Sequence, residues 1–234
     1  MKRKIAKLSR RLIERAGLRL YAATSTWPDD AGFNEARRRA RRRNVRGIPD
    51  DRCFTLYRAG QAARTIPGDI IEMGSRAGKS SRFLLAGVGI ESDKMLHAFD
   101  SFEGLSAPGP QDRDASGASV WKAGDLAVSE SQFLVNMQMY EHMVRAYKGW
   151  IPDRFDELKD KTFCVAHIDL DHYQPTLDSL AFAYDRMSPG GIIICDDYGS
   201  RSCLGARKAM DEFFADLPES LLELPTSQAI VVKR

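Results

Sequence analysis

His167-Ile168-Asp169-Leu170-Asp171-His172-Tyr173 and Ile192-Ile193-Ile194-Cys195-Asp196-Asp197-Tyr198 are two apolar runs that each end in paired acids. An apolar run bounded by Gly and Pro is the signature of a buried parallel strand, and open α/β sheets place their ligands just past the carboxyl ends of such strands. Asp169, Asp171, Asp196 and Asp197 are therefore expected to converge on one crevice. Carboxylates gathered in this way repel one another unless a cation or a shared proton intervenes, which points to a hard divalent ion such as Mg2+. Two strand ends carrying solvated loop acids are the plain structural alternative.

On either side of these runs, helical and strand patterns alternate from Gly47-Ile48-Pro49 onward. Cys53 to Arg64 reads as a helix, Asp69 to Met73 as a first strand, and Lys79 to Ala86 as a helix opening from a glycine turn. Lys94 to Phe99 reads as the second strand, Glu130 to Tyr140 as a helix, and His142 to Tyr147 as the third strand. Cys164 to Ile168 is the fourth strand and Thr176 to Met187 its crossover helix. Ser188-Pro189-Gly190-Gly191 reads as the turn into the fifth strand, Ile192 to Cys195. Gly205 to Ala215 is a helix, and Leu221 to Leu224 with Ala229 to Val232 form a closing hairpin. Strands alternating with helices imply a doubly wound α/β sheet. Residues 104–128, rich in Gly, Pro, Ser and Asp, have the composition of a lid loop.

A chain of 234 residues, 43% hydrophobic and 29% charged, suits one soluble domain with an extension. We divide it into an arm over residues 1–50 and a catalytic domain over residues 51–234. The four scattered cysteines form no CxxC pair and fit a reducing, cytoplasmic setting. No apolar run approaches the roughly 18 residues needed to span a bilayer, and the N-terminus lacks the apolar core of an export signal. The net charge of +3 conceals an asymmetry: residues 1–46 carry 15 Lys or Arg and four acids, a net +11, whereas the remainder carries −8. Ile5, Leu8, Leu12, Ala16 and Leu20 recur near helical spacing among these basic residues. Such an arm suits contact with a partner subunit or with the acidic body, and basic runs also bind polyanions. A solvated helix covering its own core fits equally well. The same weighing applies to Arg37 to Arg39 and Arg41 to Arg43.

The first strand runs into Glu72-Met73-Gly74-Ser75-Arg76-Ala77-Gly78-Lys79-Ser80, which admits two readings. A phosphate-cradling P-loop would explain Gly78-Lys79-Ser80, but its required first glycine falls at Met73, leaving the loop one residue short. The other reading is an S-adenosylmethionine site, in which an acid-x-Gly-x-x-x-Gly turn lets the backbone approach the cofactor. That fold also expects an acid near the end of the second strand, roughly 20 residues past the turn, to hold ribose hydroxyls. Asp100 lies 22 residues beyond Gly78 and favours S-adenosylmethionine over ATP. On that reading Lys79 and Ser80 are an ordinary first helical turn and Arg76 a solvated loop residue.

Glu72 to Gly78, Asp100-Ser101-Phe102-Glu103-Gly104-Leu105, Lys148-Gly149-Trp150, Asp169 to Thr176, and Ser188-Pro189-Gly190-Gly191 through Gly199 occur in the order found in the macrocin O-methyltransferase family, which this chain resembles over roughly residues 66–216. The resemblance implies a Rossmann-like class I methyltransferase: a mostly parallel seven-stranded sheet, a terminal antiparallel hairpin and an N-terminal helical extension. It implies transfer of a methyl group from S-adenosylmethionine to a hydroxyl of a glycosylated or polyhydroxylated small molecule, without nucleic acid, by a homo-oligomer whose contact is sought in the arm. Carried over, Asp169, Asp196 and Asp197 are Mg2+ ligands and Asp171 is the general base. Glu72, Gly74, Ser75, Gly78, Asp100, Ser101, Gly149, Trp150 and Asp169 border the cofactor. The family tends to have Gly where Leu170 stands, and His172 is also unusual; both bear on the acceptor pocket.

A sugar hydroxyl is too weak an acid to ionise unaided at neutral pH. Coordination to Mg2+ lowers its pKa and orients it, and Asp171 is placed to accept the proton. Asp169 and Asp171 share a face only if strand geometry persists past Asp169. His172 is a second catalytic candidate, while His167 reads as a core-facing strand residue. Tyr173 and Tyr198 either stack on the substrate or pack against loops, Gln174-Pro175-Thr176 starts a helix, and Trp121 and Trp150 are candidates for the pocket rim. Competing functions are a catechol, carboxylate or amine acceptor on the same fold, and an ATP-binding protein whose basic arm contacts nucleic acid or an anionic membrane.

Overall fold

The computed structural model describes residues 26–234, so the basic amphipathic run over residues 5–20 lies outside the described residues. Seven strands are set by the apolar runs: β1 Asp69–Met73, β2 Leu96–Asp100, β3 Val144–Lys148, β4 Phe163–Ile168, β5 Met187–Cys195, β6 Leu222–Glu223 and β7 Ala229–Val232. They form one sheet in the order β3-β2-β1-β4-β5-β7-β6, parallel except for the two antiparallel pairings of β7. The order reverses between β1 and β4, which opens the crevice where such sheets bind ligands. The expected mostly parallel seven-stranded sheet with a closing hairpin is therefore observed.

Period-two alternation divides the strand residues between two helical layers. Ile70, Leu96, Val165 and Ile194 face α1 Ala31–Arg42, α2 Asp50–Ala62, α3 Lys79–Val88 and α4 Glu130–Met137. Ile71, Met73, Phe99, Ala166, Ile168 and Ile193 face α5 Tyr173–Tyr184 and α6 Leu204–Phe214. Both sheet faces are thus covered, as the unbroken apolar runs require.

Several boundaries differ from expectation for identifiable reasons. Ser188 to Gly191 is no turn but part of β5: Gly190 takes a φ of 80° and donates its N–H to Lys233 O, and Gly191 O accepts from Lys233 N. Pairing with β4 jumps from Phe163↔Met187 to Val165↔Ile192, so the Pro and Gly mark a bulge within a strand. The crossover helix begins at Tyr173 and ends at Tyr184, because Pro175 fits its first turn. The helix expected to reach Tyr140 stops at Met137 and tightens into a 3-10 turn over Gln138–Met143, which moves the start of β3 to Val144.

Residues 26–50 join the same core. Asp30 caps α1 by accepting the Phe33 N–H at 2.8 Å, and this fixes Phe33 against Phe54 and Phe83, each at a ring separation of 5.2 Å. The arginine cluster lies on the outer side of α1, where Arg38 and Arg39 pair with Glu35 while Arg37 and Arg41 pair with Asp50. This is the pattern of a solvated helix covering its own core. Among the described residues no helix is long and apolar enough to cross a membrane.

Phe33 is fully buried. Replacing it with Ala is expected to lower unfolding free energy by about 3 kcal/mol or more, the usual result of emptying an aromatic core site. Denaturant titration of both forms checks this; an unchanged midpoint would detach residues 26–50 from the folding unit.

Candidate active site

The carboxyl ends of β1, β2, β4 and β5 open into a cavity of about 500 Å³, within the range of small-molecule sites. Its cofactor-like half starts at Gly74, where the chain turns with a φ of 90° and the peptide abuts the carbonyl of Asp169 so closely that a Cβ would collide with it. Ser75 follows on the wall, buried, with a hydroxyl that has no partner among the described residues. Opposite, Asp100 ends β2; its Oδ2 accepts the Arg76 N–H and its Oδ1 the Phe102 N–H, both at 2.7 Å. The carboxylate lines the cavity. Burial raises this carboxyl's pKa, and the Glu72 charge adds to the rise against those hydrogen bonds. Ser101, Gly149 and Trp150 complete this side, with the Gly149 N–H bonded to Asp100 O.

One contact argues against a phosphate loop, and another corrects an expectation. Lys79 Nζ is committed to Ile48 O at 2.6 Å and Asp50 Oδ1 at 3.2 Å. Arg76 is not solvated as expected: its Nε reaches Leu126 O at 3.2 Å and ties the glycine turn to the lid.

All four acids line the other half of the cavity. Carboxylate oxygens of Asp169, Asp196 and Asp197 lie within 4.8 Å of one another. Strand geometry ends at Ile168, yet Asp171 still reaches the cavity, because the chain makes a three-residue turn in which His172 N–H meets Leu170 O at 2.6 Å and Asp171 takes a φ of 61°. That turn is held by the Asp171 N–H on Asp197 Oδ2 at 2.9 Å and by the Cys203 thiol on Asp171 Oδ1 at 3.1 Å. Burial and the charge of Asp171 and Asp196 push Asp197 up to about 8, while burial, Asp196 and Asp197 push Asp169 up as well. Three clustered carboxylates, two of them with raised pKa values, are the kind of oxygen donor set a hard divalent cation takes.

Asp196 alone of the three is held low. Burial opposes its ionisation, but His167 and Arg52 outweigh it. Arg52, from the first turn of α2, binds Asp196 Oδ2 and Thr226 O, and Gln228 Nε2 donates to Asp196 Oδ1 at 2.7 Å. His167 stands fully buried between Glu72, 3.0 Å from Nδ1, and Asp196 Oδ1, an ion-pair separation of 3.6 Å from Nε2. Burial alone would lower the His167 pKa; the two carboxylates instead raise it to about 10, which favours the protonated ring.

Three expected site residues stand off the cavity wall. Glu72 points beneath the turn into the sheet, hydrogen-bonded to Ser81 and His167. Gly78 caps α3 with a φ of 79° and packs under α4, where a Cβ would meet Met137 Sδ at 2.9 Å. His172 is buried behind the acid turn, off the cavity wall, with Nδ1 3.2 Å from the hydroxyl of Ser106, which does line the cavity. Tyr173 and Tyr198 also leave the site, bonding Glu212 and Asp211. Trp121 and Leu170 do line the cavity, and the Trp121 Nε1–H lacks a partner among the described residues. Arg52, Ile48, Cys203 and Asp178 are wall residues that no motif announced.

Comparison with known proteins bears on the family and the fold. Residues 57–221 match the family model described as Macrocin-O-methyltransferase (TylF). The chain is 32% identical over 148 residues to an 8-demethyl-8-(2,3-dimethoxy-alpha-L-rhamnosyl)-tetracenomycin-C 4'-O-methyltransferase of Streptomyces olivaceus, covering 60% of this chain and 57% of that protein. It is 30% identical over 158 residues to the mycinamicin III 3''-O-methyltransferase of Micromonospora griseorubida, covering 63% and 61%. These alignments therefore span about three fifths of the relatives' own length. Among solved structures, the O-methyltransferase NovP superposes with a TM-score of 0.65 at 27% identity, over 79% of this chain and 80% of that one. The calicheamicin methyltransferase CalS11, at 18% identity and a TM-score of 0.66 over 88% and 93%, shares the fold.

Asp169, Asp197 and His167 all hold protons more tightly in the folded chain than in the unfolded one. Stability from each is full below its unfolded pKa and is lost as pH rises through the folded value, about 8 for Asp197 and about 10 for His167. The metal-free protein should therefore melt at least roughly 5 °C lower at about pH 9 than at about pH 6, and Asp197→Asn should flatten that slope. Calorimetric melts across this range decide it; a pH-independent midpoint would refute the assignment.

Proposed function

The chain belongs to the macrocin O-methyltransferase family, and on that footing we propose that it transfers a methyl group from S-adenosylmethionine to a hydroxyl of a sugar or other polyol on a small-molecule acceptor. The observation that carries this reading is the sharing of one cavity by two sets of groups: the glycine turn with Asp100 on one side and four carboxylates on the other. The relatives' names, which specify O-methylation on rhamnosyl-tetracenomycin and mycinamicin, support a glycosylated acceptor.

Gly74, Ser75, Asp100, Ser101, Gly149 and Trp150 are the residues we assign to the cofactor. The Ser75 hydroxyl and the Asp100 carboxylate are suited to its polar groups, and Gly74 admits its close approach. S-adenosylmethionine supplies an electrophilic methyl group on a sulfonium, which leaves the protein to position the acceptor oxygen and remove its proton. Asp169, Asp196 and Asp197 would hold Mg2+, whose chemistry is to acidify and orient a bound hydroxyl.

Asp171 takes the hydroxyl proton. Its carboxyl lines the cavity, and burial raises its pKa, against the opposing Cys203 hydrogen bond. A base brought closer to neutrality matches a proton-transfer role better than an ordinary Asp. The turn that carries Asp171 is pinned by Asp197 and Cys203, so the base is fixed relative to the clustered acids. Leu170 on the wall and Trp121 from the lid exclude water from the acceptor side and give it apolar surface.

Asp171→Asn should lower kcat by roughly 10² to 10⁴ while leaving binding of S-adenosylmethionine within about twofold. Asp100→Ala should instead weaken cofactor binding about tenfold or more by titration calorimetry. With a panel of glycosides and labelled S-adenosylmethionine, turnover should vanish in excess chelator and return with Mg2+. Undiminished turnover in chelator would remove the metal from the mechanism; absence of cofactor binding would overturn the reading as a whole.

A further inference from the structure

Asp196 differs from its two neighbours in what already holds it. Its Oδ2 carries the Arg52 guanidinium, while its Oδ1 accepts from Gln228 at 2.7 Å and faces the His167 ring at 3.6 Å. Asp197 gives only one oxygen, to the Asp171 N–H, and Asp169 stands beside both. Arg52 in turn is anchored by Nε on Thr226 O at 2.9 Å, with its side chain 18% exposed on the cavity wall. It precedes the span over which the chain matches its family, residues 57–221.

We propose that Arg52 competes with the divalent cation for Asp196 and thereby sets how tightly the carboxylate cluster binds that ion. The proposal rests on the metal reading given above. A carboxylate oxygen bearing a guanidinium offers a second cation one lone pair fewer, and two cations on one carboxylate repel strongly where water is scarce. Metal uptake is therefore favoured by release of Asp196 Oδ2 from Arg52. The Thr226 carbonyl, bonded to Arg52 Nε, keeps the released guanidinium on the cavity wall. Arg52 acts here as a positioning residue, through Asp196.

The test is Mn2+ binding to the metal-free full chain, read as free-ion signal by electron paramagnetic resonance, in wild type, Arg52→Gln, Arg52→Met and Arg52→Lys. Competition predicts that Arg52→Gln and Arg52→Met bind Mn2+ about tenfold or more tightly than wild type. Arg52→Lys, which keeps the charge, should stay closer to wild type than either. A purely structural Arg52 predicts the opposite, since loss of the residue that orients Asp196 would weaken the site. Thermal melts confirm that each variant is folded, and the apolar Met variant, which keeps most of the stem's packing, stands in should the Gln variant not fold. Unchanged or weaker affinity in the neutral variants overturns the competition while leaving the metal reading intact. Failure of wild type and variants alike to bind Mn2+ overturns both.

Discussion

A histidine buried between two buried carboxylates is the constraint on which this site depends. Glu72 of β1, His167 of β4 and Asp196 just past β5 lie on the same face of three adjacent strands, and none of their side chains is open to solvent. Carboxylates without water are costly, and removing one partner from such a set leaves an unpaired charge behind. Ser81 closes the row at one end and Arg52 at the other. The row joins the glycine turn to the acid cluster electrostatically, through the sheet instead of across the cavity.

That arrangement gives the two halves of the cavity different characters. Above the row, burial and the neighbouring carboxylates outweigh the opposing charges of His167 on Asp169 and of Arg52 on Asp197, and both pKa values rise. Asp196 is tied into the row and is held low by His167 and Arg52. Three acids that look equivalent in sequence thus have unequal chemistry, decided by what lies beneath them.

The fold and the location of the site were legible because both rest on local signals. Apolar runs ending in acids marked β4 and β5, and the spacing from Gly78 to Asp100 marked the turn and the end of β2. What could not be read depends on the direction of side chains within an element. Glu72 and His167 share the face turned toward α3, a matter of register between strands that are distant in sequence. Gly78 and His172 sit within motifs yet point away from the cavity, since a cap and a three-residue turn redirect the chain there. Arg52 carries no signal at all, because an arginine in the first turn of a helix resembles any surface residue until the hairpin 174 positions later comes beside it. Ser188 to Gly191 misled in the reverse sense: residues typical of turns here accommodate a bulge.

The clasp of Arg52 on Thr226 and Asp196, with Gln228 on the far side, has a consequence for how the protein folds. Contacts of such long sequence separation close late in folding, because the entropy of the intervening loop must be overcome first. The strands that carry Glu72 and His167 precede the β6–β7 hairpin in the chain and can pair with each other without it. Before it docks, Asp196 lacks Gln228, and Arg52 lacks its Thr226 anchor. The cluster is complete only once the β6–β7 hairpin has docked, and until then the pocket is unfinished and highly charged.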